Sequence, residues 1–308
     1  MKMSNKRELI MQCFNWTLQG IKENLPKLSE QGFTIIQTSP LQQHKEAENS
    51  WWALGYQVTN FKIGNRLGTK EELKELCDLA HEYGIKIIVD CVFNHTANNG
   101  SGDQQLIPST EVEDKIRNRP DFFHEAKAIE NYNNRWQVTQ WGINLPDLNT
   151  ANHELQNMMI EYLKDLQSQG VEGFRFDAVK HIELPDDAYC GSDFWDRILE
   201  HIENKDKLFL YGEVIYADTN LVDRYCKYMN VGVNNGAGSD KKKLVQWSFS
   251  HDDHLTFKLK KNYSWEVIMQ EWEYLLKSNK ESHMLFYPCP NEDVWAEERF
   301  REINNTYK

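Results

Sequence analysis

One feature constrains the fold more than any other: short apolar runs, rich in β-branched and aromatic residues, alternate along the chain with amphipathic patterns. The runs are ELIMQCFNW (8–16), FTIIQTSP (33–40), KIIVDCVFN (86–94), GFRFDAV (173–179), LFLYGEVI (208–215), LVQWSFS (244–250) and HMLFYPC (283–289). Between most of them lie helical patterns: IKENLPKLSEQG (21–32), KEELKELCDLAHEYG (70–84), NHELQNMMIEYLKDLQSQG (152–170), DFWDRILEHIEN (193–204) and SWEVIMQEWEYLL (264–276). Several of these end at a glycine suited to a C-cap, as at Gly32, Gly84 and Gly170. Such alternation predicts parallel strands joined by crossover helices.

Seven strands can be counted, and CKYMNVGVN (226–234) supplies an eighth. Eight strand–helix repeats close a (β/α)8 TIM barrel, the expected α/β fold. An open doubly wound sheet is the alternative, but no GxGxxG follows the first strand. The rhythm breaks from Thr96 to about Thr150, where Asn, Gly, Ser and Pro precede NYNNRW and LPDLNT. That is too long for an ordinary connection, so 96–150 is expected as an inserted irregular subdomain after the third strand, with 1–95 and 151–308 forming the barrel. Insertions in barrels sit most often at the C-terminal ends of strands, where active sites form. The segment 216–243 is the least regular, since it must supply two helices and a strand, and GVNNGAGSDKKK (232–243) reads as a loop.

Composition narrows the partners. A chain of 308 residues at 40% hydrophobic content can bury a sizeable core. With 35 basic and 47 acidic residues the net charge is −12, which repels nucleic acid and anionic membranes and leaves a neutral substrate as the better fit. Six scattered cysteines (Cys13, Cys77, Cys91, Cys190, Cys226, Cys289) form no CxxC pair and read as free thiols. The start, MKMSNKRELIMQCF, has no apolar run long enough for a signal peptide, and no stretch approaches the roughly 20 apolar residues of a membrane span. A cytoplasmic location is expected, although a secreted chain that had lost its leader would read the same.

The strand ends carry the chemistry. Within GFRFDAVKH (173–181), Arg175 and Asp177 are two apart and share one face of a strand, while Phe174 and Phe176 share the other. Asp90 and Asn94 likewise share a face in VDCVFNH, which ends at His95. Glu213 closes YGEV, and SFSHDDH places His251, Asp252 and Asp253 after the seventh strand. A lone acid at a strand end is most often a loop cap or a surface charge. Four such positions at the ends of the third, fourth, fifth and seventh strands converge on one rim of a barrel.

VDCVFNH, GFRFDAVKH, YGEV and the SHD of SFSHDDH resemble, in order and spacing, the four signature segments of the α-amylase family, glycoside hydrolase family 13. LPDLNT is similar to the family's additional segment in its inserted subdomain. QCFNW, GFTIIQTSP and GYQVTNFKIGNRLGTKEEL resemble its opening, so that the similarity runs from about Leu9 to Asn304. The resemblance implies retaining endo-hydrolysis of α-1,4-glucosidic bonds in starch, glycogen or maltodextrins, by a monomer. Asp177 would be the nucleophile, Glu213 the general acid and then base, and Asp252 the third acid that holds the sugar. Arg175 would keep Asp177 ionised, and His95 and His251 would hydrogen-bond the sugar. Lys180 and His181 would contact leaving-side sugars, which together with LPDL points to an amylase rather than an exo-acting glucosidase. Tyr56 would be the platform on which a sugar ring stacks, with Trp51 and Trp52 as exposed indoles in the preceding polar loop. A calcium ion is implied too, on Asn94, Asp147 and the backbone carbonyl of His181, with a further ligand from the insertion left unidentified.

Alternatives stand beside each assignment. Asp90 is as readily a structural partner of Arg175 as a catalytic group, and Lys180 and His181 can be a solvated strand end. Asp253 competes with Asp252, because HDDH replaces the family's His-Asp-Thr. Trp136 and Trp141 are evenly balanced between sugar and core, while Trp16, Trp195, Trp247, Trp265, Trp272 and Trp295 are expected in the core. The insertion can be held without metal. The chain ends at Lys308, where the family ordinarily continues into a C-terminal β-sandwich, so that domain is either absent or cut away. Rival functions are a glucan transferase of the same family, a catalytically silent glucan-binding protein, and an unrelated barrel hydrolase with a catalytic metal on Asp90, His95 and Glu213.

Overall fold

The structure, a computed structural model, describes residues 7–46, 52–251, 265–286 and 298–307. Its strands are β1 (Leu9–Cys13), β2 (Ile35–Thr38), β3 (Gln42–His44), β4 (Val58–Ile63), β5 (Lys86–Cys91), β6 (Gly173–Phe176), β7 (Phe209–Glu213), β8 (Asn230–Val233), β9 (Leu244–Gln246) and β10 (His283–Phe286). Eight of them close a parallel barrel in the order β1, β2, β5, β6, β7, β8, β9, β10, and β10 returns to pair with β1. The expected TIM barrel is therefore the fold, and the open-sheet alternative falls away. β3 and β4 form a separate antiparallel ribbon.

Each barrel strand is buried on both faces. Outward residues such as Met11, Ile36, Val89, Phe174 and Phe176 pack under the helices, and Phe176 meets Trp195 at 5.3 Å between ring centres. Inward residues Ile10, Ile35, Ile88, Phe209, Tyr211, Val245, Trp247 and Leu285 fill the barrel. The helices form where the pattern predicts, and the first two have a cap as well as an apolar stripe. Helix α1 (Leu18–Glu30) starts at Thr17, whose side chain accepts from the Gly20 N–H. Helix α2 (Lys70–Glu82) carries a capping box between Thr69 and Glu72. After α2 the chain turns at Gly84 (φ +66°), where the Ile85 N–H returns to the Ala80 carbonyl at 3.0 Å.

Residues 96–150 contain only short helices, α3 (Asp114–Arg117), α4 (Arg135–Gln140) and two 3-10 turns, before α5 (His153–Ser168) resumes the barrel. They sit at the C-terminal end of β5, with the Leu148 N–H on the Asn94 carbonyl at 2.8 Å. After α6 (Phe194–Glu200), the lean segment 216–243 yields one short helix, α7 (Thr219–Tyr225), then β8 and a 3-10 turn (Lys241–Lys243) where a second helix was expected. No described helix is long and apolar enough to cross a membrane.

Candidate active site

Arg175 is the centre of the site. Its Nη1 donates to both Asp90 oxygens, at 2.7 and 2.9 Å, and to Asp177 Oδ1 at 2.5 Å. Its Nη2 reaches Glu213 Oε1 at 2.7 Å. Three strands meet here because Asp90 and Arg175 are register partners on β5 and β6, while Glu213 ends β7. Immediately after Asp177 the chain turns through Ala178 (φ +50°), a left-handed conformation that costs a non-glycine residue about 1 kcal/mol. The turn presents the Ala178 N–H to Glu213 Oε2 at 3.3 Å.

One guanidinium cannot neutralise three buried carboxylates. Burial pushes the Asp90 carboxyl up to about 7 against the pull of Arg175. It raises Asp177 as well. Glu213 is raised by burial and by the charge of Asp177, again against Arg175. The three acids titrate together and retain a proton among them into the neutral range.

Neutral hydrogen-bonding groups surround the acids. Tyr56 donates its hydroxyl to Asp90 Oδ2 at 3.0 Å, which makes Asp90 a structural partner as well as a charge. The Tyr56 ring lies nearly parallel to His251, at 5.1 Å and 10°, and His251 is parallel to Phe14 at 4.6 Å. His95 donates Nε2–H to the Tyr56 carbonyl at 3.2 Å. Burial holds His95 down at about 4 and His181 at about 3, and burial together with Arg175 holds His251 well below its usual range. These histidines are therefore neutral near pH 7. Lys180 donates to the Ile215 carbonyl at 3.0 Å, and the His181 ring bonds the Val138 carbonyl at 2.9 Å.

Tyr56, His95, Asp177, Lys180, His181, Glu213 and His251 all line one cavity of about 1010 Å³, and Arg175 lies beneath it. Residues 143–145 of the insertion form part of its wall. Asp252, Asp253 and Trp51 lie outside the described residues, as does Trp295, and nothing is described of the Trp52 and Trp265 side chains. Trp141 is buried beneath Lys127 and Trp136 is exposed, while Trp195, Trp247 and Trp272 are core as expected. Several lining residues were not foreseen, two tyrosines among them. Tyr132, from the insertion, and Tyr216, three residues past Glu213, are both largely exposed and flank Lys180, with ring centres 5.4 and 5.9 Å from its Nζ.

The expected calcium ligands meet in part. Asn94 Nδ2 donates to Asp147 Oδ1 at 3.2 Å, and His124 Nδ1 to Asp147 Oδ2 at 2.7 Å. His124 Nε2 lies 3.5 Å from Glu183 Oε1. Asp147 and Glu183 are both buried, burial raises both, and a single imidazole stands between them. An excess of buried acid over cation, with amide and carbonyl oxygens nearby, is donor chemistry that suits a hard cation. Among the described residues no three His, Cys, Asp or Glu side chains cluster to hold a metal, so such a site leans on Asn94 and backbone oxygen.

The family model described as the catalytic domain of alpha amylase matches residues 15–287. An alpha-amylase from Clostridium acetobutylicum is 38% identical over 245 residues, covering 77% of this chain and 32% of its own length. The chain spans about a third of the length of the first curated relatives it matches. Among solved structures, an alpha-amylase from Geobacillus thermoleovorans complexed with acarbose superposes with a TM-score of 0.76 at 19% identity, covering 97% of this chain and 78% of that one. A cyclomaltodextrin glucanotransferase superposes with a TM-score of 0.73 at 17% identity, covering 98% and 80%. At these identities the two structures speak for the barrel alone. The family match over most of the chain, the curated relative and the strand-end acids agree: the chain belongs to the α-amylase family, glycoside hydrolase family 13.

Proposed function

We propose that the chain is a retaining glycoside hydrolase that cleaves internal α-1,4 bonds of starch, glycogen or maltodextrins. The observation that carries this reading is the attachment of Asp177 and Glu213 to the two ends of one guanidinium, on the wall of one sugar-sized cavity. Two carboxyls on one guanidinium are held close together, as retaining glycosidases require. Asp177 attacks the anomeric carbon as its bond to the leaving oxygen breaks, and Glu213 gives its proton to that oxygen. Glu213, now a carboxylate, takes a proton from water, whose oxygen attacks the same carbon and releases Asp177. Asp252 is the third acid in this reading. Tyr56 and the neutral His95 and His251 face the sugar, while Lys180 and His181 face the leaving side. Trp51 and Trp52 are kept as sugar contacts.

Residues 96–150 act in this account as the inserted subdomain that walls the cavity. A calcium ion, when bound, would be held by Asn94, Asp147 and the His181 carbonyl and would supply charge that pins this segment to the barrel. The test of the roles is Asp177→Asn and Glu213→Gln. Each is expected to abolish release of reducing ends while circular dichroism stays native, and wild-type rates in either would refute the roles.

Glucan transfer is a second reading, favoured by Tyr132 and Tyr216 on either side of Lys180, where a sugar ring could stack and compete with water for the intermediate. Maltoheptaose separates the two. Products longer than seven units mean transfer, and only shorter ones mean hydrolysis.

A further inference from the structure

Below the carboxyls the barrel interior holds a polar layer that neither the fold nor the reaction scheme explains. Tyr211 is fully buried among Phe209, Ile35 and Trp247. Phe209, two residues earlier on the same face, fills its place with hydrocarbon alone, so packing does not require the Tyr211 hydroxyl. A buried hydroxyl is costly unless paired. This one donates to Gln37 Oε1, across the barrel on β2. With its proton committed there, the phenol oxygen is left as an acceptor, and Arg175, the register partner of Tyr211 on β6, stands beside it on the same inward face.

We propose that Tyr211 is a positioning residue: backed by Gln37, its oxygen fixes the rotation of the Arg175 guanidinium so that the N–H groups are divided among Asp90, Asp177 and Glu213. A guanidinium free to turn would settle on the best pair of acceptors. Asp90, with both oxygens engaged, is that pair, and Glu213 would lose its contact. The layer continues beyond Gln37. Gln37 Nε2 and Gln12 Oε1 are buried without a partner, one a donor and the other an acceptor, on residues that are register partners in β2 and β1. Gln12 Nε2 in turn stands 3.2 Å from His251 Nδ1, on a residue that lines the cavity.

The direct test is side-chain NMR on arginine-labelled protein, with Arg175 assigned by its absence from Arg175→Lys. Wild type is expected to show separate, slowly exchanging Nη–H signals for Arg175, and Tyr211→Phe to merge them. Gln37→Met, which removes the phenol's acceptor but keeps the length, should merge them too, and it decides the matter if Tyr211→Phe does not fold. Unchanged Arg175 signals in a folded variant would overturn the proposal. A kinetic arm rests on the hydrolase reading: kcat should fall about tenfold with little change in KM, and both limbs of the pH profile should move upward as Arg175 holds the carboxylates less firmly. Wild-type pH limbs in Tyr211→Phe would count against the proposal. Should wild type cleave no glucan, that reading fails, and the NMR result still decides the role of Tyr211.

Discussion

Two buried clusters of acid and arginine lie close together, and they differ in the ratio of charges. Around Arg175 one guanidinium serves three carboxyls, and all three acids are raised. Around Asp187 two guanidinia serve one buried carboxyl, Arg135 Nη2 at 2.7 Å and Arg224 Nη2 at 2.6 Å, and Arg224 also pairs with the exposed Asp186 at 2.7 Å. There burial acts to raise Asp187, but the two arginines hold it below its usual range. Arg135 also donates to the Lys180 carbonyl, to the Ile182 carbonyl at 3.0 Å and to Tyr225 at 2.8 Å. Two guanidinia on one buried carboxyl make a pin that fastens helix α4 to the strand-end loop after β6. Surplus acid makes a place where a proton can be held and released.

The contrast can be broken experimentally, and the largest effect is on catalysis. Asp177→Asn or Glu213→Gln should lower glucan cleavage by about 10⁴-fold or more, read as reducing ends released. The rate of the wild type should be bell-shaped in pH, falling on the acid side as Asp177 takes a proton and on the alkaline side as Glu213 loses one. Both limbs should lie above the ordinary carboxylate range, because burial raises both groups.

Next in size is the pin. Arg135→Met should destabilise the fold by about 3 kcal/mol in urea titrations, since it strips a buried carboxylate and two carbonyls of a partner. Little change would mean that Arg224 alone suffices.

Asp177→Asn should have the opposite, smaller effect on stability. A carboxyl whose folded pKa is raised contributes stability that is present at low pH and is lost as pH rises through the folded value. The variant should therefore be more stable than wild type at pH 7 in urea titrations, with the gap closing toward pH 4. Smallest is calcium. Chelation should lower Tm by a few degrees and added calcium restore it, without an immediate proportional loss of rate. A Tm indifferent to both would remove calcium from the account.

The same contrast explains what could be read in the sequence. Strands such as FTIIQTSP and helices such as KEELKELCDLAHEYG announce themselves because burial on both faces, or on one stripe, leaves a periodic mark. Asp177, Glu213 and His251 are legible for a related reason: polar groups that close several apolar strands are costly to bury unless a shared site uses them. The ribbon β3, Gln42–His44, carries no apolar alternation to mark it. The pin is also silent, because Arg135 finds its partners 45 to 90 positions away and two of them are backbone carbonyls. Tyr211 and Gln37 lie 174 positions apart and read as ordinary strand residues. In 216–243 the length left little room for two full helices, yet nothing there said that a 3-10 turn would replace the second.

The most direct measurement is to trap the covalent intermediate. Glu213→Gln would be incubated with a 5-fluoro glycosyl fluoride, whose good leaving group needs no acid, and the digest examined by mass spectrometry. The account predicts one fluoro-sugar ester on the peptide spanning 173–181, at Asp177. An ester on any other carboxyl, or none while the wild type still turns over glucan, would contradict it.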